Sequence, residues 1–213
     1  SRLCGKACFH IRNVCRGGVA LCAASIAPEL VRGLVIGDSL IDMKALAAWM
    51  NSAPFAAHFS NVQDLIRQKL AVEDLAITLG EMPVRMMGVE SPPKYREVQD
   101  QASLLDWAET IHTMDPDVLR YHAGGRGDDF LQGLDMDATL SKITCPTLLI
   151  RADHKLGALL SAQACEHAAS LLSQPETAFL EDTGHSLGLD GGEVDPLMKV
   201  VGEFLERCRT EDQ

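Results

Sequence analysis

The chain has 213 residues, of which 46% are hydrophobic and 23% are charged, and this composition is typical of a globular protein with a sizeable core. Its formal net charge of -11 excludes nucleic acid as the main partner, because phosphate binding needs clustered Lys and Arg side chains. No apolar run reaches the roughly 18 residues of a membrane span and the N-terminus does not resemble a signal peptide, so we expect a cytoplasmic protein without a membrane partner.

The N-terminal part has the pattern of a strand, a helix and a second strand. Segment 9–14 is apolar, and segment 17–27 consists mainly of small residues that suit a helix packed close to a sheet. A second strand at 33–36 is ended by Gly37 and Asp38. Such a unit predicts parallel pairing, because parallel strands need a crossover connection.

The middle of the chain, 42–143, has apolar residues at helical spacing and no convincing strand. A run of helices of this length between strands is typical of an insertion over a sheet rather than of ordinary crossovers. We therefore predict a core formed by 1–41 and 144–213, with an all-helical cap at 42–143.

Strand patterns return in the C-terminal part. Segment 145–153 is a strand with Pro146 near its start, where proline is tolerated, and segment 160–172 is a helix. Segment 176–185 is a strand that leads into a loop, and a closing helix follows at 195–208. The whole pattern predicts an α/β fold, with a parallel sheet of about four strands and helices on both faces.

Three reactive or polar residues follow predicted strands. Cys15 follows the first strand, Asp153 follows "TLLIR" and His185 follows "AFLEDTG". Sites in open parallel sheets form outside the carboxyl ends of the strands, so these residues can converge. Together they supply a nucleophile, a base and a carboxylate that orients the base. Asp38 and Asp42, which follow the second strand, are competing acids.

These segments resemble the C-terminal two-thirds of an α/β-hydrolase. "NVCRGGVALCAASIAPELVRGLVIGDS" is similar to the nucleophile elbow with its following helix and next strand. "ITCPTLLIRAD" is similar to the acid-bearing strand, and "FLEDTGHSLG" to the histidine loop. The order of nucleophile, acid and histidine is the order of that family. The resemblance implies a truncated α/β-hydrolase fold in which the helical insertion is the cap.

The elbow departs from the family pattern at two positions. Asn13 and Cys15 stand where the family has Gly and Ser, and Cys keeps a nucleophile in that place. The resemblance also implies that the family's earlier strands are missing from this sequence, with the loop that supplies one of two oxyanion-hole amides. The backbone amide of Arg16 would supply the other.

The resemblance implies a hydrolase without a cofactor, which cleaves a small ester, a thioester or a related acyl bond through Cys15, His185 and Asp153. A haloperoxidase-like, dehalogenase-like or carbon–carbon bond hydrolase remains an alternative, since the fold does not fix the chemistry. The cap would line a pocket for a small apolar acyl substrate with Trp49, Phe55, Phe59, Leu79, Met86, Met87 and Trp107.

A second hypothesis is a degenerate hydrolase without turnover that acts as a binding or oligomerisation module. A sheet cut beside the elbow strand would expose an edge, and exposed edges pair with other chains, so a homodimer or a missing partner segment is the expected consequence. The seven cysteines contain no CxxC pair, which predicts reduced thiols and no metal site.

Overall fold

A computed structural model describes residues 8–10, 14–84, 92–189 and 192–210 of the chain. The chain divides into two compact units. The first combines Ser1–Met43 with Gly133–Gln213, and the second is Lys44–Gln132. Because the first unit is discontinuous in sequence, the second is an insertion within it.

The described part of the first unit contains a four-stranded sheet in which every neighbouring pair is parallel. The strands lie in the order of the sequence: β1 (Cys8–His10), β2 (Leu34–Gly37), β3 (Thr147–Ala152) and β4 (Pro175–Leu180). All four residues of β2 are buried, as are all but one of β3, which is expected of central strands covered on both faces. The predicted parallel sheet of about four strands is confirmed.

Alternate residues of the central strands enter two different cores. Leu34 and Leu149 pack with the helices α1 (Val14–Ile26), α9 (Met136–Leu140) and α10 (Ala162–Leu171) on one face. Val35 and Leu148 face the other way and pack with α11 (Asp195–Thr210), whose Phe204 is fully buried. The alternation is the ordinary period of two of a strand, and it fixes helices on both faces.

The described part of the second unit consists of helices and their connections, and its one strand-like feature is an isolated bridge between Pro83 and Lys94. Its core includes Leu65, Leu79 and Ile111, which belong to the helices that span Ala53–Gln68, Val72–Glu81 and Gln101–His112. The helices are α2 (Met43–Met50), α3 (Ala53–Gln68), α4 (Val72–Glu81), α5 (Tyr95–Val98), α6 (Gln101–His112), α7 (Arg120–Ala123) and α8 (Gly127–Phe130).

The boundaries of this unit differ from the predicted insertion at 42–143. Segment 133–143, with helix α9, belongs to the first unit. Met136, Leu140 and Ile143 are buried in the same core as Leu21. A short apolar helix gives the same sequence pattern whichever core it enters, so the pattern alone could not assign it.

Gly17 brings helix α1 into close contact with the end of β2. A Cβ atom at this position would lie 2.7 Å from the Cβ of Ser39 and would overlap its hydroxyl oxygen. Ser39 is 3% exposed and donates a hydrogen bond to the carbonyl of Gly37, so it has little room to move. Only glycine allows this approach of the helix to the strand.

We expect Gly17→Ala to destabilise the protein by about 1–3 kcal/mol, the usual cost of overpacking a buried contact. Gly18→Ala is the matched control, because its Cβ would meet no atom within 4 Å. In Gly18→Ala the free energy of unfolding should rise by roughly 0.5–1 kcal/mol, because alanine has the better helix propensity. Urea unfolding measures both, and equal stabilities for the two variants would contradict the contact.

Candidate active site

The central feature of the site is a hydrogen bond between Asp38 and His185. The Nδ1 atom of His185 lies 2.8 Å from Oδ2 of Asp38, although 147 residues separate the two. The Asp38 side chain is fully buried, whereas that of His185 is 38% exposed. Asp38 directly follows β2, and His185 lies in the loop that follows β4. Both therefore belong to the carboxyl-end edge of the sheet.

Two backbone amides complete the surroundings of the Asp38 carboxylate. The N–H of Leu159 donates to Oδ2 at 2.8 Å, and the N–H of Leu160 donates to Oδ1 at 3.0 Å. All three partners approach as donors, which suits an acceptor-only carboxylate. A neutral imidazole at His185 carries its proton on Nδ1 in this arrangement, which leaves the lone pair of Nε2 available as a base.

The backbone of Asp38 is held in an unusual conformation. Its φ of 33° lies in the left-handed region, which Asp adopts more readily than most residues but at some cost. The Asp38 N–H donates to the carbonyl of Ile150 at 2.8 Å, so the neighbouring strand holds the turn. Left-handed residues outside glycine are concentrated at functional sites, and this one turns the carboxylate towards His185.

The histidine loop packs on the end of β2. Leu187 is almost completely buried, and a Cβ at Gly37 would lie 2.6 Å from its Cδ1 atom. Gly188, with a φ of 81°, allows the loop to turn where any side chain would overlap the carbonyl of Glu193. The loop is therefore anchored by an apolar side chain on one side of His185.

Cys15 is the second residue of α1, one residue beyond the helix start at Val14. The side chains of Cys15 and Arg16, and the whole of Asn13, lie outside the described part of the structure. The backbone amides of a first helical turn have no partner within the helix, and the amide of Arg16 is one of these. Because β1 pairs with β2 in parallel, α1 begins at the same sheet edge where Asp38 lies.

The close approach of Gly17 to Ser39 shows where α1 lies relative to Asp38. Gly17 is two residues from Cys15, and Ser39 is the residue after Asp38. The first turn of α1 therefore lies against the end of β2. The structure thus brings the candidate acid Asp38 and His185 into contact. The backbone of the candidate nucleophile, Cys15, lies in the helix that follows β1, the strand next to β2.

The expectation that Asp153 pairs with His185 is wrong, because Asp38 occupies that place. Oδ1 of Asp153 accepts a hydrogen bond from the N–H of Lys155 at 2.9 Å and caps a 3-10 turn at His154–Leu156. Asp42, the other competing acid, is exposed before α2. The sequence contained one indication that Asp153 caps a turn. Gly157 follows it four residues later, and an Asp at the start of a turn with a Gly near its end is typical of such turns.

The residues predicted to line an apolar pocket differ in their burial. Phe55 and Leu79 are buried, and Leu79 belongs to the core of the second unit. Trp49, Phe59 and Trp107 are half-buried, and Met86 and Met87 lie outside the described residues.

The described part of the chain contains no group of three or more His, Cys, Asp or Glu side chains that could hold a metal ion. None of its helices combines the length and apolar character that crossing a bilayer requires.

No protein-family model and no curated protein matches the chain. Several solved structures do match it in fold. They include a bacterial membrane phospholipase A (TM-score 0.52, 19% identity, 91% of this chain and 55% of that one). An N-formylmaleamic acid deformylase from Pseudomonas putida gives a TM-score of 0.53 at 15% identity, over 87% of this chain and 62% of that one. A meta-cleavage product hydrolase from Pseudomonas fluorescens gives 0.53 at 14%, over 95% and 66%.

These matches establish the α/β-hydrolase fold for the chain and, at such low identity, the fold alone. The chain spans 55–66% of the length of these three structures, so it corresponds to part of that fold.

Proposed function

We propose that this chain, which has part of the α/β-hydrolase fold, is a hydrolase that cleaves a small ester, a thioester or a related acyl bond. In this proposal Cys15 is the nucleophile, His185 is the general base and Asp38 is the acid that orients His185. The observation that carries the proposal is the hydrogen bond between the buried Asp38 carboxylate and Nδ1 of the half-exposed His185. A carboxylate bound to Nδ1 is the arrangement that fixes the orientation and the base tautomer of a catalytic histidine.

The first half of the reaction forms an acyl-enzyme. Nε2 of His185 accepts the thiol proton of Cys15 as the sulfur attacks the carbonyl carbon of the substrate. The negative charge that develops on the carbonyl oxygen is stabilised by the backbone N–H of Arg16 and by the positive end of helix α1. The tetrahedral intermediate collapses when the imidazolium gives its proton to the leaving alcohol or thiol, and a thioester of Cys15 remains.

The second half releases the acid. Nε2 of His185 removes a proton from a water molecule, and the resulting hydroxide attacks the thioester carbon. The bond from carbon to sulfur breaks, the sulfur recovers its proton from the imidazolium, and the carboxylic acid leaves. Asp38 keeps its charge throughout and stabilises the imidazolium that forms in each half, as in serine hydrolases.

The likeness to solved hydrolases supports the coarse class. A membrane phospholipase A, a deformylase and a meta-cleavage product hydrolase are among the hydrolases that share the fold. The fold serves many chemistries, so only the residues of the site point to an acyl substrate. A thiol, a base and a buried carboxylate are the groups that acyl transfer requires.

Asp38→Asn should lower kcat for p-nitrophenyl acetate hydrolysis by about 10³–10⁴-fold, because the amide imposes the wrong imidazole tautomer. Asp42→Asn is the control, since it removes the same charge from an exposed aspartate near the same strand and should leave kcat unchanged. Cys15→Ala gives the background rate, and circular dichroism checks that each variant is folded. Full activity in Asp38→Asn would refute Asp38 as the acid.

Cys15 should react with iodoacetamide at pH 7 much faster than Cys22, which lies two turns further along the same helix and is half-buried. The N-terminal helix position and His185 both favour a thiolate at Cys15. Cys165 should be slower still, because burial raises the pKa of its thiol. Mass spectrometry of digests measures all three rates, and His185→Ala should slow only the labelling of Cys15.

If Cys15 is labelled no faster than Cys22, and hydrolysis does not exceed the Cys15→Ala background, the site is a remnant. The chain would then fit the alternative of a module without turnover.

A further inference from the structure

Asp153, which is not the acid, connects the loop that holds His185 with the turn at 154–160, whose end binds Asp38. Its backbone N–H donates to the carbonyl of Thr183 at 2.8 Å, and Thr183 precedes His185 by two residues. Asp153 therefore fixes the start of the histidine loop to the end of β3. The bond is made beyond the last register pair of these strands, Ala152 with Leu180, so it extends their pairing to the base of the loop.

The same residue organises the turn that follows it. Its carboxylate accepts from the N–H of Lys155 at 2.9 Å, and its carbonyl accepts from Leu156 at 2.9 Å and from Ala158 at 3.3 Å. Gly157, with a φ of 84°, reverses the chain within this turn. The turn then delivers the amides of Leu159 and Leu160 to the carboxylate of Asp38.

The turn and the histidine loop are also in direct contact. A Cβ at Gly184 would lie 2.6 Å from the carbonyl oxygen of Leu156, a backbone atom that cannot move alone. Gly184 immediately precedes His185. The loop that holds the base and the turn that holds the acid therefore share two connections, one through the backbone of Asp153 and one through this close approach.

We propose that Asp153 is a positioning residue, which holds Asp38 and His185 in hydrogen-bonding register by fixing the 154–160 turn against the histidine loop. The inference rests on the proposed function for its catalytic consequence, but the hydrogen bond that it concerns exists independently of turnover. The hydrogen bonds of Asp153 join it to Lys155, Thr183, Leu156 and Ala158 and not to Asp38 or His185, so it acts through the backbone of the segments around it.

The role requires an acceptor at position 153 and not a charge. Asn caps turns and helices about as well as Asp, because its Oδ1 atom also accepts from the backbone. Asp153→Asn should therefore preserve the site, and Asp153→Ala should loosen it. An acid of the catalytic kind behaves differently, since its replacement by Asn abolishes the function of the histidine.

The test follows the proton on Nδ1 of His185 by proton and nitrogen NMR of the ¹⁵N-labelled protein at low temperature. A histidine N–H bound to a carboxylate gives a line downfield of the amides, and its absence in His185→Ala and Asp38→Asn assigns it. We expect the line to persist in Asp153→Asn and to be lost or broadened in Asp153→Ala. In Asp153→Ala, kcat for p-nitrophenyl acetate should fall by up to about 10²-fold, because a misplacement of about 1 Å is enough for a loss of that size.

Two further variants keep the result interpretable. Gly184→Ala should also remove the line, because its Cβ pushes the histidine loop from the turn without changing Asp153. Glu181→Ala is the control, since it removes an exposed charge from the same loop and should leave the line and kcat unchanged. If Asp153→Ala proves unstable, Asp153→Gly removes the same acceptor at a smaller cost in stability and should also lose or broaden the line.

The outcomes separate this inference from the proposed function. A line in the unaltered protein that survives Asp153→Ala, or one that Asp153→Asn removes as fully as Asp153→Ala does, overturns the positioning role. A line that behaves as expected in a protein without hydrolysis supports the positioning role and refutes the hydrolase. Absence of the line in the unaltered protein overturns the pair of Asp38 and His185 and the positioning role together.

Discussion

The burial of the Asp38 carboxylate is the constraint on which this end of the first unit depends. A buried carboxylate without partners is costly by several kcal/mol, and the cost is offset only by donors in good geometry. Here the donors come from His185 and from the amides of Leu159 and Leu160. Two segments that are distant from Asp38 in sequence must therefore close on its side chain before its burial becomes favourable.

The parallel sheet explains why those segments are available at one place. Every strand ends at the same edge, so the residues after β1, β2, β3 and β4 are neighbours in space whatever their separation in sequence. The contact of Gly17 with Ser39 then sets how closely α1 approaches that edge. The topology provides the neighbourhood, and a few close contacts determine which side chains in it meet.

The sequence was sufficient for the architecture and for part of the site. Alternation of strand and helix patterns predicted the parallel sheet, and the apolar strand before His185 predicted its place. The acid was assigned wrongly, because Asp38 and Asp153 give the same strand-end signal. Their roles differ in hydrogen bonds to Leu159 and Lys155, which depend on three-dimensional closure. Helix α9 was misassigned for a related reason, since an apolar face does not say which core it enters.

The position of the acid directly after β2 determines how the site is held together. Cys15 and Asp38 follow adjacent strands, so their separation depends on one interstrand spacing of about 4.8 Å and on the packing of Gly17. His185 follows β4, two strands away from β2, and reaches Asp38 only through its loop. The histidine is thus the member whose position depends most on loop contacts. The geometry of proton transfer therefore depends on the residues that fix the histidine loop. It does not depend on a further charged group near the imidazole.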